Sequence, residues 1–165
     1  MNGIAHRAPI STPKPDIAFG YQPQAIFRIT ERATDEDVHK LLKLRDLYIV
    51  NEEGLLLPYL LVEVKTACKD MEIATNQLLG GTSITVNLCD GAIENDNAVF
   101  GVTMHNEFAK IFVTWKNGEK HFMKEFEAFT FLHFDQYFLF QKMMFNIHKW
   151  AATDRLETAR NRFTV

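Results

Sequence analysis

A carboxylate and an ammonium group stand two residues apart near the end of LLVEVKTA, residues 60–67. The stretch is apolar on both faces up to Val62, which is typical of a central strand covered on both sides. In a strand, Glu63 and Lys65 point to the same face. Burying a carboxylate is costly unless it is paired. The two residues therefore mark either the point where the strand leaves the core or a site.

Glu-x-Lys on one strand face offers part of what metal-assisted phosphodiester hydrolysis requires. Mg²⁺ takes oxygen ligands, polarises a phosphate and helps to generate the attacking hydroxide. Glu63 supplies one carboxylate and Val64 a backbone carbonyl, while Lys65 can assist the water or neutralise charge in the transition state. The second carboxylate must come from a neighbouring strand, and Asp16, which opens the apolar segment 17–19, is the candidate.

The pattern of the chain predicts the elements that must position these residues. Strands are predicted over residues 16–21, 47–50, 55–65, 83–88, 99–104, 110–115 and 121–126, with a hairpin turn at Asn117-Gly118. Helices are predicted after a capping box at Thr34 and Asp37, over residues 70–79 up to Gly80-Gly81, over residues 135–150, and after a Thr153 cap.

This order of elements predicts an α/β or α+β domain with a central mixed β-sheet flanked by helices. Residues 1–14 are predicted to be an extended lead-in to one domain over residues 15–165. One aromatic series is predicted to lie in the core rather than to form a platform for stacked bases: Phe126, Phe129, Phe131, Phe134 and Phe138.

Composition narrows the class of protein. A net charge of −3 argues against a protein that coats nucleic acid by positive potential alone, although a local basic groove is compatible with it. Cys68 and Cys89 have no partner at zinc-ligand spacing and are predicted to be reduced, which suits the cytoplasm or nucleus. No secretory signal is visible and the longest apolar run, residues 55–62, is too short to span a bilayer.

Longer stretches of the chain carry a resemblance to a known family. PKPDIAFGY, LPYLLVEVK, ATNQLLGG and FNIHKWAATDRLETAR are similar to fungal PD-(D/E)XK nuclease-like domains, and the likeness extends from residue 15 to residue 160. It implies a restriction-endonuclease-like core and a nuclease that prefers DNA to RNA, with Mg²⁺ or Mn²⁺ on Asp16 and Glu63. It also implies that Lys65 activates water or stabilises charge, and that Gln77 orients the site or the substrate.

The chain differs from the family pattern at its N-terminus. Such folds usually begin with a helix that contributes another acidic residue, whereas only fourteen residues precede Pro15. We expect that the chain is a fragment of a longer protein or that this helix has been lost. The alternative function is therefore a non-catalytic module that keeps the nuclease fold for binding or as an effector. The sequence leaves open whether the chain is an enzyme and whether it forms a homodimer.

Overall fold

In the part of the chain that the structure describes, five strands form one open mixed sheet, in the order β1-β2-β3-β4-β5, with helices packed against it. The computed structural model describes residues 14–29, 31, 33–48, 54–66, 70–90, 93 and 97–164. The strands are β1 Ile17–Tyr21, β2 Leu56–Val64, β3 Val99–His105, β4 Phe108–Asn117 and β5 Lys120–Thr130. The helices are α1 Pro23–Ile26, α2 Asp35–Tyr48, α3 Met71–Asp90, α4 Phe134–Trp150 and α5 Leu156–Arg162, and a π-helical turn, Ala151–Arg155, joins the last two. The predicted fold class is confirmed.

β2 is buried along almost all of its length. Every residue from Leu56 to Glu63 is buried, as the apolar pattern on both faces predicts. β2 pairs antiparallel with β1 and parallel with β3, with Ile17 opposite Val62 and Glu63 opposite Thr103. A parallel pair needs a crossover connection, and α3 provides it.

α3 is longer than the sequence predicts. It continues through Gly80-Gly81 and through residues 83–88, so the predicted helix end and the predicted strand are both wrong. Thr82 Oγ1 donates to Leu78 O at 2.8 Å and Thr85 Oγ1 donates to Gly81 O at 2.9 Å. Both hydroxyls are therefore hydrogen-bonded within the helix. Its buried positions recur at helical spacing: Ala74, Leu78, Gly81, Thr82, Thr85, Val86 and Cys89.

Two glycines let α3 lie close to the sheet. A Cβ atom on Gly101 of β3 would stand 2.7 Å from Leu78 Cδ2, which is closer than real contacts allow. A Cβ atom on Gly81 would stand 3.3 Å from Leu61 Cδ1 of β2. Gly81 therefore serves helix–sheet packing and does not end the helix.

The other element predictions have mixed outcomes. The capping box is confirmed, since Thr34 Oγ1 accepts from the backbone N–H of Asp37 at 3.3 Å and Asp37 Oδ2 accepts from the backbone N–H of Thr34 at 3.0 Å. The meander and its turn are also confirmed, with Gly118 at φ +58°. The strand predicted at 47–50 is wrong for Leu47 and Tyr48, which belong to α2; its other residues, like Cys68 and residues 1–13 of the predicted lead-in, lie outside the described residues. No described helix has the length and apolar character needed to cross a membrane.

The predicted cap at Thr153 is also wrong. The helical backbone continues from α4 through the π-helical turn into α5, and Thr153 Oγ1 donates to Lys149 O at 2.9 Å. The turn carries Arg155, which is fully buried. Its guanidinium donates to Ala98 O at 2.7 Å and to Pro58 O at 3.2 Å. The C-terminal segment is thereby attached to the start of β2 and to the residue before β3.

The aromatic series lies only partly in the core. Phe129 is buried and packs edge-on against Phe140 of α4, with ring centroids 5.6 Å apart. Phe126, Phe134 and Phe138 are instead 54%, 82% and 61% exposed, so the prediction that they belong to the core is wrong. α4 therefore carries aromatic side chains on its solvent face as well as on its packed face.

Candidate metal and catalytic site

Asp16 meets the Glu-x-Lys segment where β1 begins and β2 ends. The antiparallel register that sets Ile17 opposite Val62 brings Asp16, one residue earlier, level with Glu63. Asp16 Oδ2 accepts a hydrogen bond from the backbone N–H of Val64 at 2.7 Å. The side chain of Asp16 is exposed, so its second oxygen is open to solvent or to a ligand. The structure thus brings together the two strands that the sequence suggests for the site.

Glu63 is the buried member of the site. It is 3% exposed, and Lys65 Nζ lies 3.7 Å from its Oε2. Burial raises the pKa of Glu63 above its usual range, the negative charge of Asp16 raises it further, and Lys65 lowers it in part. The backbone N–H of Lys65 donates to Met104 O at 2.9 Å, which extends the pairing with β3 beyond β2. An ionised Glu63 is therefore costly here, and a bound cation would offset that cost.

Thr103 is a polar residue of this region that the sequence does not single out. It pairs with Glu63 in the parallel register of β2 and β3, so both side chains point to the face of the sheet that α3 covers. Thr103 is fully buried, and its Oγ1 has no hydrogen-bond partner among the described residues. Because buried hydroxyls are nearly always satisfied, Thr103 fits a place where a ligand oxygen or a water is bound.

Gln77 is not hydrogen-bonded to the carboxylates of Asp16 and Glu63. It is exposed on α3, one residue before the buried Leu78. Its side chain makes no hydrogen bond to any residue that the structure describes. The role that the resemblance implies for Gln77 stays a prediction.

The donor atoms at the site fit the predicted cofactor. They are the carboxylates of Asp16 and Glu63, the backbone carbonyl of Val64 and the hydroxyl of Thr103, all of them oxygen. Within the described ranges, no three or more His, Cys, Asp or Glu side chains are grouped to hold a metal ion. Mg²⁺ needs no such cage, since it keeps several waters and binds through one or two carboxylates together with substrate phosphates. The set suits Mg²⁺ or Mn²⁺ and is unlike the nitrogen and sulfur ligands of zinc.

The pKa of Glu63 leads to a prediction about stability. Because the folded state holds the Glu63 proton more tightly than the unfolded chain, this residue destabilises the fold as pH rises through the window between the two pKa values. In the presence of a chelator at pH 7.5, we expect Glu63→Gln to raise the Tm by about 2–4 °C, which corresponds to about 1 kcal/mol in a domain of this size. Thermal melts by circular dichroism at pH 7.5 and pH 4 measure the difference, which should shrink at pH 4.

The matched control is Glu127→Gln, a carboxylate on the exposed side of β5 that should leave the Tm unchanged at both pH values. A Glu63→Gln variant that melts below the wild-type protein at pH 7.5 would show that the ionised carboxylate is already satisfied by its neighbours.

Fold and site together define an α+β domain in which an acidic strand end meets a buried Glu-x-Lys strand. The chain belongs to the family described as "Domain of unknown function (DUF7924)", whose model matches residues 2–162. The searches of curated proteins and of solved structures gave no match. The proposal for function therefore rests on the geometry of the site and on the resemblance of its motifs.

Proposed function

We propose that this chain is a metal-dependent nuclease domain of the PD-(D/E)XK type, which hydrolyses phosphodiester bonds with Mg²⁺ or Mn²⁺. The observation that carries the proposal is the 2.7 Å hydrogen bond between Val64 N–H and Asp16 Oδ2, which joins the acidic strand end to the Glu-x-Lys strand. The order of an acidic strand, a Glu-x-Lys strand, a crossover helix and a parallel strand supports it. The preference for DNA over RNA comes from the resemblance alone.

Each residue has a role that follows from its position. Asp16 and Glu63, level with each other on adjacent strands, would hold the ion together with the carbonyl of Val64. A bound Mg²⁺ supplies Lewis-acid polarisation of the phosphate and a lowered pKa of water. Lys65 has a side chain 22% exposed, so its Nζ can meet a substrate that approaches from solvent. There it would orient the attacking water, accept its proton or neutralise charge that develops on the phosphate.

The second candidate function is a non-catalytic module that keeps this fold for binding. Two observations favour it. The net charge of the chain is −3, and the Gln77 side chain makes no hydrogen bond to the carboxylates of Asp16 and Glu63. A module of this kind could bind a divalent ion or a nucleic acid without cutting it.

Metal titration and cleavage together separate the two functions. Isothermal calorimetry with Mn²⁺ should show binding to the wild-type protein and to Glu127→Gln, and weaker binding by about tenfold or more to Glu63→Gln and Asp16→Asn. Plasmid DNA, single-stranded DNA and RNA are then incubated with each protein in Mg²⁺, in Mn²⁺ and in chelator. Metal-dependent cleavage that both site variants lose supports the nuclease.

The remaining outcomes are informative in different ways. Mn²⁺ binding without cleavage of any substrate would favour the non-catalytic module. A folded wild-type protein that binds no Mn²⁺, or a Glu63→Gln variant that binds it as tightly as wild type does, would contradict the metal site itself.

A further inference from the structure

His105 is the last residue of β3 and lies next to the candidate site. Met104, just before it, pairs with Val64 of β2 in the parallel register. The backbone N–H of Lys65 donates to Met104 O at 2.9 Å, so the pairing continues one residue further and sets Lys65 level with His105. Neighbouring strands of a sheet are about 4.8 Å apart. His105 is therefore close enough to Lys65 for both side chains to contact one ligand.

His105 points to the same face of the sheet as the buried polar residues of the site. Residues two apart on a strand share a face, so His105 lies on the side of Thr103, and Lys65 on the side of Glu63. The inner pair, Glu63 and Thr103, is 3% and 0% exposed. The outer pair is nearer to solvent, since the Lys65 side chain is 22% exposed and His105 is half-buried. A ligand that enters from solvent would meet the outer pair first.

One nitrogen of the His105 ring is bonded to the turn that follows β3. The backbone N–H of Glu107 donates to His105 Nδ1 at 3.4 Å. A ring nitrogen that accepts a hydrogen bond carries no proton, so the proton of the neutral ring lies on Nε2. The other hydrogen-bonding position, Nε2, has no partner among the described residues. His105 thus carries an N–H donor at the site that no described residue uses.

We propose that His105 binds a phosphate of the substrate, with its Nε2–H donating to a non-bridging oxygen of the phosphodiester held at the site. The anionic oxygens of a phosphodiester accept hydrogen bonds, and the ammonium group of Lys65 lies on the same face to balance their charge. The role rests on the proposed function, for which it names a substrate contact. It applies equally to a module that binds nucleic acid without cutting it.

Two amide substitutions separate this role from a structural role in the turn. Asparagine places its amide where Nδ1 of histidine lies, so His105→Asn keeps an acceptor for the N–H of Glu107 and removes the outer donor. Glutamine places its amide where Nε2 lies, so His105→Gln keeps the outer donor and removes the inner acceptor. A phosphate contact predicts a defect in the asparagine variant alone. A role in the turn predicts the defect in the glutamine variant.

The first test is DNA binding, which does not require cleavage. Fluorescence anisotropy with a labelled duplex and a labelled single strand is measured in Ca²⁺, which takes oxygen ligands as Mg²⁺ does. His105→Asn should weaken binding by about tenfold or more, the size of one hydrogen bond to a charged partner, while His105→Gln stays within about threefold of the wild-type protein. Thermal melts of the same samples check that each variant is folded.

The matched control is His121→Asn, which should leave the affinity for DNA unchanged. His121 is also a half-buried histidine, but it pairs with Lys116 at the other end of β4. Its Nε2 is already bonded to Asn87 Oδ1 at 3.0 Å.

Single-turnover cleavage in Mg²⁺ separates failure of this inference from failure of the proposed function. Cleavage by the wild-type protein, with binding and cleavage unchanged in His105→Asn, would overturn the role of His105 and leave the nuclease in place. Binding without cleavage would remove the nuclease, and a tenfold loss of affinity in His105→Asn would still support the phosphate contact. A loss in His105→Gln as large as that in His105→Asn, or a wild-type protein that binds no DNA, would overturn the inference.

Discussion

Lys65→Met should reduce metal-dependent cleavage by about 100-fold or more while leaving Mn²⁺ binding close to that of the wild-type protein. Proton transfer or charge stabilisation by one positioned side chain contributes about 10²–10⁴-fold to a rate. Lys65 Nζ lies 3.7 Å from the Glu63 carboxylate, so it lies beside a proposed ligand of the ion without being a ligand itself. Single-turnover cleavage of plasmid DNA in Mn²⁺, with calorimetry on the same samples, measures both quantities.

The matched control for Lys65 is Lys116→Met. Lys116 is also a strand lysine that pairs with a carboxylate, that of Asp90, at 3.0 Å, and it lies at the far end of β4 from the residue that pairs with Thr103. Its replacement should change neither cleavage nor binding. A Lys65→Met variant that cuts like the wild-type protein would remove Lys65 from the chemistry. Loss of cleavage together with loss of Mn²⁺ binding would instead assign it to holding Glu63 in place.

Arg155→Met should lower the free energy of unfolding by about 3 kcal/mol. The substitution keeps an apolar side chain of similar reach but removes the donors to Ala98 O and Pro58 O. A buried acceptor that loses its partner costs about 1–3 kcal/mol. Ala98 O loses the guanidinium, and Pro58 O keeps only a weak bond from the Cys89 thiol at 3.8 Å. It also removes the guanidinium that lies 5.4 Å from the ring centroid of Trp150. Urea unfolding at pH 7, followed by circular dichroism, gives the difference.

Arg162→Met is the corresponding control because Arg162 is an exposed arginine of α5. It should change the free energy of unfolding by no more than about 0.5 kcal/mol. If Arg155→Met costs less than about 1 kcal/mol, then water or neighbouring donors replace the guanidinium, and the C-terminal segment is held mainly by its apolar packing.

The architecture could be predicted largely from local pattern, but the extent of α3 could not. β2 is buried on both faces and its sequence is apolar on both faces, so pattern and structure agree. SITVNL, residues 83–88, is rich in residues that favour strands, yet it continues a helix. The hydroxyl of its Thr85 donates to Gly81 O, one turn earlier, and Gly81 fits against Leu61. Packing on the sheet overrides the local preference, and a sequence window cannot show that packing.

The site was predictable in part for a similar reason. Asp16, Glu63 and Lys65 stand at strand ends, where local pattern draws attention to charged residues. Thr103 belongs to the same face only because β2 and β3 pair in parallel across α3, and the register of a parallel pair has no local signal in the sequence. Gln77 was implied by its motif. Its exposure depends on which side of α3 meets the sheet, and that side follows from the full length of the helix.

The position of β1 determines how the candidate site would lose one of its carboxylates. Among the described strands, β1 is a five-residue strand at the edge of the sheet that pairs only with β2, and the bond from Val64 N–H to Asp16 lies just before its first residue. Short edge elements open at lower free energy than the core to which they are attached. Detachment of β1 would remove one carboxylate from the site while β2 to β5 stay folded. If the candidate site binds a cation, its affinity would be coupled to the local unfolding of one short strand, and the bound ion would in turn hold β1 to the sheet.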